Sequence, residues 1–152
     1  MSLCTLVEAK LQLGKTTAAD DTELQSYIDA LTGPPLPTPV PAGPLRIMLL
    51  CSAFNGLTQR AWVELRAAGH EVLVQRAGDD DAVRTAVTAM APHLVICPFL
   101  RERVPAEVWT SHPTIVIHPG PKGDRGPSSL DWAIMDATPV WGVTALQAVH
   151  EM

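Results

Sequence analysis

Apolar residues from Leu45 onward fall into short blocks at regular intervals. The first block, Leu45–Cys51 (LRIMLLC), is almost continuously apolar, as expected for a strand that is buried on both faces of a sheet. Further strands are predicted by EVLVQ at 71–75, HLVIC at 93–97 and TIVIH at 114–118. The segment WGVTALQAV at 141–149 alternates in part between apolar and polar residues and predicts a last strand.

The segments between these blocks have helical spacing. Trp62 and Leu65 share one face of QRAWVELRAA at 59–68, and Gly69 suits the position after its last turn. Three more helices are predicted: after the acidic run 79–81, in PAEVW from Pro105, and around 130–135, with Ser128 or Ser129 as its cap and Asp131 in the capping-box position. Strands that alternate with helices predict an α/β domain, a Rossmann-like and mostly parallel sheet flanked by helices. All four tryptophans are expected to fill the interfaces between helices and sheet: Trp62, Trp109, Trp132 and Trp141.

The start of the chain has a different composition. GPPLPTPVPAGP at 33–44 contains six prolines, which favour an extended, semi-rigid spacer. Before it, TELQSYIDAL at 22–31 has the spacing of a short helix. The sequence therefore divides into an N-terminal appendage with a short helix (1–33), a Pro-rich linker (34–44) and an α/β domain (45–152).

Charge and cysteine content exclude several classes of protein. The 152-residue chain has a net charge of −5 and no basic run, which argues against nucleic acid as a partner. No apolar run approaches the roughly 18 residues of a membrane span, and the first residues lack the pattern of a signal peptide. Cys4, Cys51 and Cys97 form no CxxC pair, so neither a disulfide framework nor a zinc site is indicated. We expect a cytoplasmic protein without a metal, in which Cys51 and Cys97 pack rather than react.

The most unusual loop follows the fourth predicted strand, which ends at His118. Ligands of open parallel sheets bind outside the carboxyl ends of the strands, where His118 would lie near Asn55, Gln59 and the backbone of Phe99. A histidine in that place can exchange a proton near neutral pH, whereas a structural histidine would only bond a loop carbonyl. Position alone leaves both roles open.

Three segments carry a family resemblance. HPGPKGDRGPSSLDWAI at 118–134, paired with GVTALQAVHEM at 142–152, resembles the formyltransferases that use 10-formyltetrahydrofolate. With LLCSAFNGLTQR at 49–60, these segments resemble more closely the N-terminal domain of the HypX/HoxX family of hydrogenase maturation factors. The resemblance covers residues 45–152 and does not reach the appendage.

The resemblance implies a reaction. Family members take a formyl group from 10-formyltetrahydrofolate, and for HypX-like proteins the resemblance implies coenzyme A as the acceptor. The formyl group then becomes the carbon monoxide ligand of a [NiFe]-hydrogenase. The implied partners are the folate, its acceptor and other hydrogenase maturation proteins.

The resemblance also implies site residues. His118 matches the catalytic histidine, which would stabilise the tetrahedral intermediate and help move the acceptor's proton. The loop that cradles the pterin, largely with backbone groups, matches 97–104 and supplies Cys97, Pro98, Phe99, Leu100 and Val104. The residues expected to face the substrates are Asn55, Gln59, Arg60, Gly120, Arg125, Gly126 and Ser128.

Two positions depart from the family pattern. The Asn that stands two residues before the catalytic histidine is Val116 here, so one donor for the developing oxyanion is missing or is supplied from elsewhere. The family's catalytic Asp would fall just past Met152, so we expect a partial form with little or no turnover and no Asp to orient His118. Two alternatives stay open. One is a catalytically silent module that binds folate or a partner, and the other is a formyltransferase that acts on an amine of a nucleotide sugar or an aminoacyl-tRNA.

Overall fold

Strands and helices alternate along the chain as predicted. The computed structural model describes residues 37–124 and 128–149. Its elements are β1 (Arg46–Cys51), α1 (Gly56–Ala67), β2 (Glu71–Arg76), α2 (Asp80–Met90), β3 (Leu94–Cys97), α3 (Ala106–Ser111), β4 (Thr114–His118), α4 (Ser129–Met135) and β5 (Thr144–Gln147). The predicted helix at 22–31 lies outside the described residues. Residues 37–44 are exposed and contain neither helix nor strand, while the boundaries of appendage and linker stay predictions.

The strands form one sheet in the order β2-β1-β3-β4-β5. Neighbouring strands from β2 to β4 are parallel, whereas β5 runs antiparallel to β4. This arrangement confirms the mostly parallel, Rossmann-like sheet. From β1 the chain first moves to β2 on one side and then returns to β3 on the other, so the strand order reverses between β1 and β3. The carboxyl ends of these two strands form the place where open α/β sheets bind ligands.

The sheet is buried most deeply at β1. Every residue from Ile47 to Cys51 is at most 1% exposed, which explains why this strand is apolar without alternation. Met48 and Leu50 belong to the core cluster with Val83 and Val87 of α2. Val83 and Val87, one turn apart, therefore form the face of α2 that packs on the sheet.

A capping side chain is present at the start of α2, whereas the cap predicted for α4 is absent. The Asp79 side chain accepts hydrogen bonds from the amides of Asp81 and Ala82 at 3.0 and 3.1 Å, in agreement with the acidic start predicted for α2. Ser128 precedes α4, but its φ of +64° is left-handed and its side chain makes no capping bond. The predicted serine cap of α4 is therefore wrong. A residue with extended backbone is needed for the side chain to reach the first turn.

The prediction for the tryptophans is also wrong at one position. Trp132 is 59% exposed. The helix α4 is buried through Ser129 and Ala133, which lie one turn apart, and Trp132 lies to the side of that face. Leu130, Ile134 and Met135 are exposed as well, so this short helix buries small residues and leaves its large ones at the surface.

Burial raises the pKa of the thiols of Cys51 and Cys97. Desolvation raises the pKa of Cys97 to about 12, and desolvation also raises the pKa of Cys51. In a Cys4→Ser background we expect neither thiol to react with Ellman's reagent in the folded protein at neutral pH, and both to react once it is denatured. Fast labelling without denaturant would contradict the buried packing.

The same shift predicts how the stability depends on alkaline pH. Because the folded protein holds the thiol protons more tightly than the unfolded chain, the folded state gains stability from them below the ordinary thiol pKa. This contribution is lost as the pH rises from that range towards about 12.

Within 37–124 and 128–149, no helix is long and apolar enough to cross a membrane.

Candidate functional site

The loops after β1 and β3 are tied together at the carboxyl edge of the sheet. The amide of Ser52 donates to the carbonyl of Phe99 at 2.9 Å, and the amide of Arg101 donates to the Ser52 hydroxyl at 2.8 Å. That hydroxyl donates in turn to the Glu102 carboxylate and lowers the pKa of Glu102. These contacts fix the loop 97–104 across the point where the strand order reverses.

The loop 97–104 has the properties expected of a cradle made by the backbone. Cys97 and Pro98 are buried, and Leu100 and Val104 pack against the hydrophobic core. Phe99 is only partly buried, with the Arg101 guanidinium 5.5 Å from its ring centre. Because the aliphatic side chains anchor the loop inwards, its backbone forms the rim of the sheet edge. Binding of a pterin by this loop stays a prediction.

The residues predicted in the loop after β1 divide into two groups. The Asn55 side chain accepts from the amide and hydroxyl of Thr58, both at 3.1 Å, and Gln59 donates to the carbonyl of Phe54 at 2.9 Å. Both amide groups therefore stabilise the start of α1, at the edge where ligands are expected. Arg60 forms an exposed ion pair with Glu64 at 2.7 Å, one turn along the helix. Contact of these three residues with a ligand stays a prediction.

His118 ends β4, the strand that pairs with β3 just before the loop 97–104. Cys97 pairs with Val116 in the sheet, so Phe99 and His118 each follow that pair by two residues. Val116, which replaces the family's Asn, is a half-buried strand residue without a polar group. The catalytic candidate and the predicted pterin loop therefore lie at the ends of neighbouring strands.

A carboxylate contacts His118. Its Nε2 lies 2.7 Å from Oδ2 of Asp124 and 3.4 Å from the hydroxyl of Ser129, and the His118 and Asp124 side chains are 15% and 24% exposed. An Asp of the loop after β4 therefore contacts the ring, at a position that the sequence analysis did not consider. Sequence analysis missed Asp124 and Ser129 as site residues. The signal for Asp124 was the order Pro-Lys-Gly-Asp, which favours a turn back towards the strand end.

The first part of the loop after β4 is held by the segment that leads into β5. The Thr144 hydroxyl donates to the carbonyl of Gly120, and the Trp141 indole donates to the carbonyl of Pro119, both at 2.7 Å. Gly120 is buried beside His118, and its contact with a substrate stays a prediction. Ser128 is exposed just before α4. Arg125 and Gly126 lie outside the described residues.

The described part of the chain offers no metal site. No three side chains of His, Cys, Asp or Glu within these ranges are grouped closely enough to hold an ion. The chemistry at this edge is that of an imidazole, a carboxylate, a hydroxyl and backbone groups.

Comparison with known proteins relates the chain to two hydrogenase maturation factors, HoxX and HypX. No protein-family model matches the chain. Over 107 residues, 70% of the chain, it is 52% identical to the hydrogenase maturation factor HoxX of Bradyrhizobium diazoefficiens. The chain spans 19% of the length of that relative.

Solved structures agree with this result. The crystal structure of HypX from Aquifex aeolicus in complex with tetrahydrofolic acid matches 71% of the chain at 45% identity, with a TM-score of 0.69. The match takes up 19% of that HypX chain. Glycinamide ribonucleotide transformylase 1 from Symbiobacterium toebii is 18% identical, with a TM-score of 0.50, over 72% of this chain and 68% of its own length. The last likeness concerns the fold alone.

Proposed function

We propose that this chain, a homologue of part of the hydrogenase maturation factors HoxX and HypX, binds 10-formyltetrahydrofolate at the carboxyl edge of its sheet and transfers the formyl group during hydrogenase maturation. The observation that carries the proposal is the 45% identity to a HypX that was crystallised with tetrahydrofolic acid. The position of His118 beside the loop 97–104 supports it, because a formyl donor held by that loop would bring its N10 side towards the histidine.

The acceptor in this proposal is the thiol of coenzyme A. Its sulfur forms a bond to the formyl carbon, the bond from that carbon to N10 breaks, and the thiol proton ends on N10. His118 helps this proton to move and stabilises the oxyanion of the tetrahedral intermediate. Release of carbon monoxide from the formyl thioester regenerates the thiol, and we assign it to the parts of HoxX and HypX that this chain does not match.

Folate binding is the first half of the test. Isothermal titration of the 152-residue protein should show saturable binding of tetrahydrofolate. p-Aminobenzoylglutamate, which lacks the pterin, should bind at least about tenfold more weakly, since one or two lost polar contacts correspond to that ratio. Equal affinity for the two compounds would contradict a pterin cradle at 97–104.

Transfer is the second half of the test. The protein, at a concentration equal to that of 10-formyltetrahydrofolate, is mixed with coenzyme A, and formyl-coenzyme A is separated by liquid chromatography. We expect formation of the thioester above the rate without protein. Formylation of an amino sugar nucleotide or an aminoacyl-tRNA in place of the thioester would overturn the choice of acceptor.

A second candidate function is a folate-binding module without chemistry, favoured by Val116 at the position of the family's Asn. Folate binding without any formyl transfer would select this function over the first.

A further inference from the structure

We propose that Asp124 is the positioning residue of His118, holding Nε2 so that the ring presents Nδ1 to the ligands. This inference rests on the proposed function for its catalytic meaning. Asp124 stands in the loop after β4, six residues after His118.

The contact between the two side chains is short and sheltered. The distance of 2.7 Å from Nε2 to Oδ2 is typical of a bond that involves a charged acceptor. Both side chains are at least three-quarters buried, so solvent competes weakly for the carboxylate. Ser129, at 3.4 Å from the same nitrogen, is too distant to hold the ring as firmly. Within the described residues, both polar contacts of the ring thus go to Nε2.

A turn in the backbone delivers Asp124 to this place. The Asp124 amide donates to the carbonyl of Pro121 at 3.0 Å, which closes a four-residue turn. Gly123, third in that turn, has a φ of +93°, as a type II turn requires. The sequence Pro-Lys-Gly-Asp therefore reverses the chain directly after the strand end and returns the carboxylate to the histidine.

The contact between His118 and Asp124 occupies space that a side chain at position 120 would fill. A Cβ on Gly120 would lie 2.7 Å from Nε2 of His118 and would overlap Oδ2 of Asp124. Bonds from Thr144 and Trp141 hold the backbone of this segment, so it has little freedom to move aside. The absence of a side chain at Gly120 is a condition for the contact.

The contact assigns the protons of the ring. A carboxylate at Nε2 accepts a hydrogen bond from Nε2–H, so in the neutral ring the lone pair belongs to Nδ1. The same carboxylate stabilises the imidazolium that forms when Nδ1 takes a proton, as in other histidine–carboxylate pairs. Nδ1 is then the atom that exchanges a proton with the acceptor and faces the oxyanion.

The test reads the ring directly by nitrogen NMR. Protein labelled with ¹⁵N-histidine is measured in mildly alkaline buffer, where neutral imidazoles dominate, and the His118 signals are assigned with His118→Gln. The wild type should show the Nε2–H tautomer, and Asp124→Ala should show a mixture of tautomers. Asp131→Ala, which removes an exposed carboxylate from α4, is the matched control and should leave the ring unchanged. An unchanged His118 tautomer in Asp124→Ala would overturn the proposal.

A second variant keeps the proposal testable if Asp124→Ala does not fold. Gly120→Ala keeps Asp124 but closes the space for the contact, and it should shift the tautomer in the same direction. Gly142→Ala is its control, because a Cβ there would meet Pro121 at an ordinary distance of 3.4 Å. Tautomers that respond to neither Asp124→Ala nor Gly120→Ala exclude a positioning role.

Kinetics separate this inference from the proposed function. If formyl transfer occurs, Asp124→Ala should lower its rate by about 10- to 100-fold, the range for removal of an outer partner that orients a histidine. The affinity for tetrahydrofolate should stay within about threefold, since less than 1 kcal/mol of binding is at stake. If the wild type transfers no formyl group, the proposed function fails while the NMR result still decides the role of Asp124.

Discussion

Replacing His118 with alanine is expected to lower formyl transfer from 10-formyltetrahydrofolate to coenzyme A by about 10²- to 10⁴-fold, the usual contribution of a general acid–base group. The affinity for tetrahydrofolate should change much less, because the pterin is proposed to lie on the loop 97–104. Single-turnover rates, calorimetric binding and a melting curve for each protein separate these effects.

A purely structural histidine would give the opposite pattern. Its loss would lower the melting temperature, and the rate per folded molecule would stay within about threefold of the wild type, short of any acid–base contribution. His112→Ala is a suitable control, because His112 bonds the carbonyl of Pro92 at 3.0 Å and lies at the entrance of β4 rather than at its carboxyl end. Equal transfer rates in His118→Ala and His112→Ala would refute the catalytic assignment.

The second large effect concerns the core. Leu50→Ala should lower the free energy of unfolding by about 2–5 kcal/mol, because Leu50 is 1% exposed and packed within the main apolar cluster. Leu73→Ala on β2 is the matched control, since Leu73 is 39% exposed and its truncation should cost about 1 kcal/mol or less. Urea unfolding measures both changes, provided that the slope of the transition is the same. If Leu50→Ala lowers the free energy of unfolding no more than Leu73→Ala does, β1 is not buried on both faces of the sheet.

Short-range patterns were sufficient to predict the elements of the fold. The bounds of β4 were predicted correctly because TIVIH is apolar and lies between Pro113 and Pro119, which cannot extend a strand. The direction of β5 could not be predicted from its pattern, since the alternation of side chains is the same in parallel and antiparallel strands. Trp132 was placed wrongly because hydrophobic character does not reveal that α4 buries only Ser129 and Ala133.

For the site, the sequence could predict which residues lie at the strand ends but not which side chains contact each other there. The position of His118 follows from its strand and from the rule that such ends form ligand sites. Its contact with Asp124 depends on the left-handed backbone at Gly123 and on the absence of a side chain at Gly120. Both conditions become visible only when the loop is seen folded back onto the end of β4. The local roles of Asn55 and Gln59 at the start of α1 were likewise hidden, because an amide that caps a helix has the same sequence signature as one that binds a ligand.

The central place of β1 has a consequence for the chain during its synthesis. Both neighbours of β1 come later in the sequence: Arg46 pairs with Glu71, and Ile47 pairs with Leu94. The most apolar strand therefore leaves the ribosome before either of its partners, and the edge that pairs with β3 stays open until β3 has emerged. Parallel pairings between distant residues form slowly, and exposed apolar strands are the segments that self-associate or bind chaperones. Production of this protein should accordingly depend on the supply of chaperones and on growth temperature more strongly than its small size suggests.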